Sequence, residues 1–99
     1  MTSTVDDKPL DANAARKRIA RILKSEGRVT YSRHARAEMA KDDLTELEVT
    51  NVQRGGRITE PAEQEKGTWR YRVHTNTLWV VVAFRSETEL VVVTVWRKR

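Results

Sequence analysis

Cysteine is absent from this 99-residue chain, and proline, glycine, phenylalanine and histidine are scarce: two, four, one and two residues respectively. Without cysteine there are no disulfides and no thiolate-held metals, and two histidines do not make a histidine-only zinc centre. No apolar run approaches the ~20 residues of a membrane span; residues 78–84 form only a strand-sized one. The first eight residues are polar and acidic, lacking the basic start and hydrophobic stretch of a signal peptide. The expectation is a cytoplasmic protein of bacterial type with no membrane association.

Positive charge is what the chain has in excess. Nineteen Lys and Arg against fourteen Asp and Glu leave a formal charge of +5. That surplus suits an anionic partner such as RNA, DNA or an acidic protein, or serves only solubility. The length makes one domain with a single core. Residues 1–10 read as a flexible N-terminal tail and residues 11–99 as a single α+β domain.

Helical signals fill the first half. Asp11 is a candidate N-cap for a helix over residues 12–25, with Ala15, Ile19, Ile22 and Leu23 on one side and five cations on the rest. That basic face is either solvated or a contact for RNA phosphates, and Gly27 suits its C-terminal cap. Arg28-Val29-Thr30-Tyr31 links it to Ser32, which can cap a second helix to about Asp42. Thr45 and Glu48 predict a capping box, with Leu44 and Val49 as the hydrophobic staple, and Gly55-Gly56 ends that third helix. A short strand is expected over residues 57–59, then a loop over 62–67.

Three strands follow, over residues 68–74, 78–85 and 90–98, with the middle one central in the sheet. Alternation sorts their side chains into two faces. If Thr75-Asn76 is a two-residue turn, Arg72 pairs Trp79, and one face reads Trp69, Tyr71, Val73, Leu78, Val80, Val82 and Phe84. The next hairpin adds Val91, Val93 and Val95 to it. The other face carries Arg70, Arg72, His74, Trp79, Arg85, Trp96 and Lys98. The architecture expected is an α+β fold with N-terminal helices packed on one face of a small antiparallel sheet. Indoles flanked by guanidiniums suit base stacking and phosphate contact. They equally suit cross-strand stabilisation or a protein partner.

The series Ser32-Arg33-His34-Ala35-Arg36-Ala37-Glu38-Met39, then Leu44-Thr45, Glu48-Val49 and Gly55, resembles domain-of-unknown-function family 4258. So do the closing stretches, residues 78–82 and 92–96. Members typically read Ser-x-His-Ala-x-x-Arg-Met, and Glu38 here replaces their arginine. That family is similar in layout to RelE- and MqsR-type mRNA interferases. The resemblance implies a RelE/MqsR-like domain that cuts RNA without a metal or other cofactor and is silenced by a cognate antitoxin protein. An MqsR-like alignment sets Trp69-Arg70 on a pair whose polar member belongs to the active site, and Arg97 (or Trp96) near a catalytic lysine.

Metal-free RNA cleavage needs a base for the 2′-hydroxyl, an acid for the 5′-oxygen and cations around phosphorus. The candidate catalytic residues are His34, Arg70 and Arg97; the candidate RNA contacts are Arg57, Arg72, Trp79, Arg85, Trp96 and Lys98. His34 near a helix start favours a neutral imidazole; the alternative is a residue that pins the helix to the sheet. His74 reads as an exposed turn residue, Tyr71 as core, and Glu60, Glu63 and Glu65 as a solvated loop. The expected function is a metal-independent endoribonuclease toxin of a toxin–antitoxin pair. The alternative, favoured by Glu38, is a non-catalytic RNA- or protein-binding module on the same fold.

Overall fold

Local capping chemistry starts each helix. In the computed structural model, which describes residues 8–25 and 27–98, Asp11 Oδ1 accepts from the Ala14 amide at 2.8 Å and opens α1, Ala12–Lys24. Ala15, Ile19 and Ile22 of α1 are buried. The helix stops at Ser25 rather than at Gly27. Gly27 instead lies against the helix, where a Cβ would meet Ile22 Cγ2 at 2.8 Å. Residues 1–7 of the expected tail lie outside the described residues. Leu10, its last, packs on the core and donates its amide to the Tyr71 hydroxyl at 3.0 Å.

The segment expected to be a link is a strand: β1, Arg28–Tyr31, followed by α2, Arg33–Lys41, and α3, Glu46–Gly55. The expected capping box on α3 is present, with Thr45 Oγ1 accepting from the Glu48 amide at 3.1 Å and Glu48 accepting from the Thr45 amide at 2.9 Å. The remaining strands are β2, Glu63–Glu65; β3, Thr68–His74; β4, Leu78–Ser86; and β5, Glu89–Arg97. They order as β1-β5-β4-β3-β2, so β4 is central as expected.

The sheet is mixed, correcting the expected antiparallel one. β2 to β5 pair antiparallel, but β1 runs parallel to β5, with Tyr31 opposite Val92. Two further corrections concern residues 57–67. Arg57 makes one isolated bridge with His74 instead of starting a strand, and the expected loop contains β2.

The hairpin between β3 and β4 closes one pair later than expected. The Thr75 amide bonds the Leu78 carbonyl at 3.0 Å, leaving Asn76-Thr77 as the turn. Arg72 therefore faces Val81, and His74 faces Trp79. A slip of two residues keeps every side chain on its expected face, because the pleat repeats every two. Between β4 and β5 the outcome differs. Val81 pairs Thr94 while Val82 pairs Val92, so Val93 is an extra, bulged residue. The bulge reverses the alternation beyond it. Leu90 and Val92, not Val91 and Val93, join Val95 in the core, each fully buried.

All three helices pack on this apolar face, where Tyr71, Val73, Val80, Val82, Leu90, Val92 and Val95 meet Ile19, Met39 and Val49. Fully burying one such side chain contributes about 1.5–3 kcal/mol. The opposite face is left uncovered by helices. Among the described residues no helix is long and apolar enough to cross a membrane.

Candidate functional site

On the uncovered face the register aligns three rings in one row across three strands: His74 on β3, Trp79 on β4 and Trp96 on β5. The imidazole stacks on Trp79 with centroids 4.3 Å apart, and Trp79 stacks on Trp96 at 5.9 Å. Trp96 is 37% exposed, so the stack ends in an indole open to a further ring. The Lys98 ammonium sits over Trp79, 4.7 Å from its centroid. Its backbone amide bonds the Thr77 carbonyl at 2.8 Å, tying the end of β5 to the β3–β4 turn.

Both nitrogens of His74 are engaged. Lys98 Nζ lies 2.9 Å from Nδ1, and Thr59 Oγ1 lies 2.9 Å from Nε2. An ammonium has no lone pair, so Lys98 donates and Nδ1 accepts. The ring proton is thereby assigned to Nε2, which donates to Thr59. Burial lowers the imidazole pKa from its ordinary value, and the nearby Lys98 and Arg57 cations push in the same direction. The neutral ring is therefore the favoured form, with the Nδ1 lone pair turned to Lys98. The backbone of His74 is fixed as well: its amide and carbonyl exchange hydrogen bonds with Arg57 at 2.9 and 2.8 Å. Gly56 permits this close approach, since a Cβ there would stand 2.8 Å from the His74 carbonyl oxygen. Gly55, Arg57, His74, Thr75 and Asn76 line a cleft of about 240 Å³ beside the ring.

The next row along β3 holds Arg72, opposite Val81 and Thr94. Its Nη1 and Nη2 each lie 2.7 Å from a carboxylate, Glu60 and Glu63 respectively. Arg70 pairs with Glu65 at 3.2 Å. The expected contact of Arg72 with Trp79 is replaced by that of His74, a consequence of the later hairpin closure.

The structure gathers Arg57, Trp79, Trp96 and Lys98 around His74, with Arg70 and Arg72 on the same face. Arg85 is exposed at the far end of β4. Two of the expected catalytic residues lie elsewhere. His34 is exposed on α2, whose Ala35 and Met39 enter the core on the helix-covered side. Arg97 points to that side too, donating to the Asp42 carbonyl at 3.1 Å. Thr59 and His74 were not among the expected site residues. Alternation puts His74 beside the indoles, but only the shifted turn sets it against Trp79; nothing local marks Thr59. A larger cleft, about 430 Å³, is lined by Leu10, Ile58, Thr59, Glu60, Pro61 and Tyr71 among others, and none of the three stacked rings lines it. Among the described residues no group of three His, Cys, Asp or Glu converges to hold a metal.

The family model described as "Domain of unknown function (DUF4258)" matches residues 31–97, two thirds of the chain. The chain belongs to this family. No curated protein matches it, and neither does any solved structure. In this DUF4258 domain much of the signature is scaffold. Ser32 Oγ accepts from the Ala35 amide at 2.9 Å and donates to the bulged Val93 carbonyl at 2.7 Å, joining α2 to β5. Ala35 and Met39 fill the core beneath. The closing Trp96, by contrast, faces solvent.

Proposed function

We propose that this DUF4258 domain is a metal-independent endoribonuclease of the RelE/MqsR type, working in the cytoplasm as the toxin of a toxin–antitoxin pair. The observation that carries the reading is His74, held between Thr59 and Lys98 at the end of an indole stack. An RNA base stacks on the open side of Trp96, contributing roughly 1–3 kcal/mol. The backbone phosphate then draws Lys98 off Nδ1, which frees the imidazole lone pair. His74 takes the proton of a 2′-hydroxyl, and the 2′-oxygen attacks phosphorus. The P–O5′ bond breaks and Lys98 protonates the leaving oxygen, giving a 2′,3′-cyclic phosphate and a 5′-hydroxyl. Arg57 stabilises the charge that builds on the phosphoryl oxygens. A cognate antitoxin silences the protein by covering the same face.

Inducing the chain in a bacterial host and mapping RNA ends tests this. New 5′-hydroxyl ends with growth arrest are expected, and intact RNA in growing cells refutes it. A second reading, the non-catalytic RNA- or protein-binding module, draws support from the Nδ1 lone pair already occupied by Lys98. Salt-dependent RNA binding without new ends would establish it.

A further inference from the structure

The cations of the open face are not equally free. Arg72 and Arg70 project from β3 and are the more covered partners of their ion pairs, with side chains 35% and 23% exposed. Their carboxylates come from one segment and stand further into solvent: Glu60 is 45% exposed, Glu63 64% and Glu65 62%. Arg72 binds two different carboxylates, each through a single oxygen. Arg70 keeps a buried Nε–H that has no acceptor.

The segment that supplies these anions meets the core through Ala62, and its carboxylate-bearing residues lie outside it. All three residues of β2 are exposed, and the strand lies at the sheet edge with β3 as its sole neighbour. It returns to β3 through Lys66 and Gly67, at φ 52° and 81°. Exposed ion pairs contribute little to stability. Three carboxylates outnumber the two guanidiniums they meet, so the patch has no net attraction for a polyanion while the segment stays in place. The same segment carries Thr59, the partner of His74. Arg72 is two residues, about 7 Å, from His74 along β3, the length of a single nucleotide step.

We propose that Arg72 and Arg70 are phosphate subsites kept filled by the protein's own carboxylates, and that an entering RNA strand exchanges Glu60, Glu63 and Glu65 for its phosphodiesters. This rests on the RNA-directed reading above and adds to it a self-occupied state. Guanidiniums bind either anion through the same donors, so exchange needs no rearrangement of β3.

The test is the affinity of the full chain for a labelled single-stranded oligouridylate. The variant E60Q/E63Q is expected to bind three- to tenfold more tightly than the wild type. E46Q/E87Q, which removes the same charge elsewhere, is expected to bind within twofold of it. Adding R72Q to E60Q/E63Q is expected to abolish the gain. No gain in E60Q/E63Q, an equal gain in E46Q/E87Q, or a gain that survives R72Q overturns the exchange. Wild-type binding that Trp96→Ala weakens but E60Q/E63Q leaves unchanged refutes the exchange alone. Absence of binding in every variant refutes the RNA reading together with it.

Discussion

Ser32→Ala removes one hydroxyl that holds two elements at once. Ser32 Oγ caps α2 by accepting from the Ala35 amide, and its proton satisfies the bulged Val93 carbonyl. Losing an N-cap serine costs about 0.5–2 kcal/mol. Leaving a part-buried carbonyl without its donor adds about 1 kcal/mol, the low end of the range for an unsatisfied buried group. The expected loss is therefore about 1.5–3 kcal/mol, and each kcal/mol lowers Tm by roughly 4–8 °C in a domain of this size. Urea denaturation followed by circular dichroism reads it as a lower midpoint with an unchanged slope. Ser32→Thr keeps both bonds and should restore nearly all of the stability. His34→Ala, on the exposed neighbour in the same signature, should change stability by less than ~0.5 kcal/mol. A loss below ~0.5 kcal/mol in Ser32→Ala would show that the bulge is not held by the cap.

Three further outcomes follow from the same geometry. Gly56→Ala sets a Cβ 2.5 Å from the Val52 carbonyl and 2.8 Å from that of His74, both backbone atoms; it should cost about 1–3 kcal/mol by denaturation and weaken RNA binding. His74 has a folded pKa below its unfolded value, so its contribution is intact above the unfolded pKa of about 6.5. That contribution falls as pH drops through the folded pKa and then levels off; His74→Gln should remove this component from a plot of stability against pH. Arg97→Ala breaks a contact on the helix-covered side and should leave RNA binding within twofold, as measured by fluorescence anisotropy.

What the sequence discloses is what is decided locally. The caps at Asp11, Ser32 and Thr45 are read from residues three apart. The two sheet faces of β3 and β4 are read from alternation, which survives a two-residue slip in register. Non-local choices are hidden. Whether residues 28–31 pair with β5 depends on a partner far along the chain, and parallel pairing leaves no turn to mark it. The Val93 bulge has no signature in a run of valines, yet it decides which of them enter the core. The candidate site divides the same way. Trp79, Trp96 and Lys98 are legible as one face. His74 becomes central only because the turn falls at Asn76-Thr77, and Thr59 reaches it from a segment with no regular structure. Of the three expected catalytic residues, Arg70 lies on the open face, while the fold puts His34 and Arg97 on the helix-covered side of the sheet.

The most direct measurement of the central claim uses purified protein, one defined single-stranded RNA and end mapping at neutral pH. A general base contributes roughly 10²–10⁴-fold in rate, so His74→Gln should lose at least ~100-fold of cleavage while keeping wild-type affinity for the same RNA. Undiminished cleavage in His74→Gln, or a wild-type protein that neither cuts nor binds the strand, would contradict it.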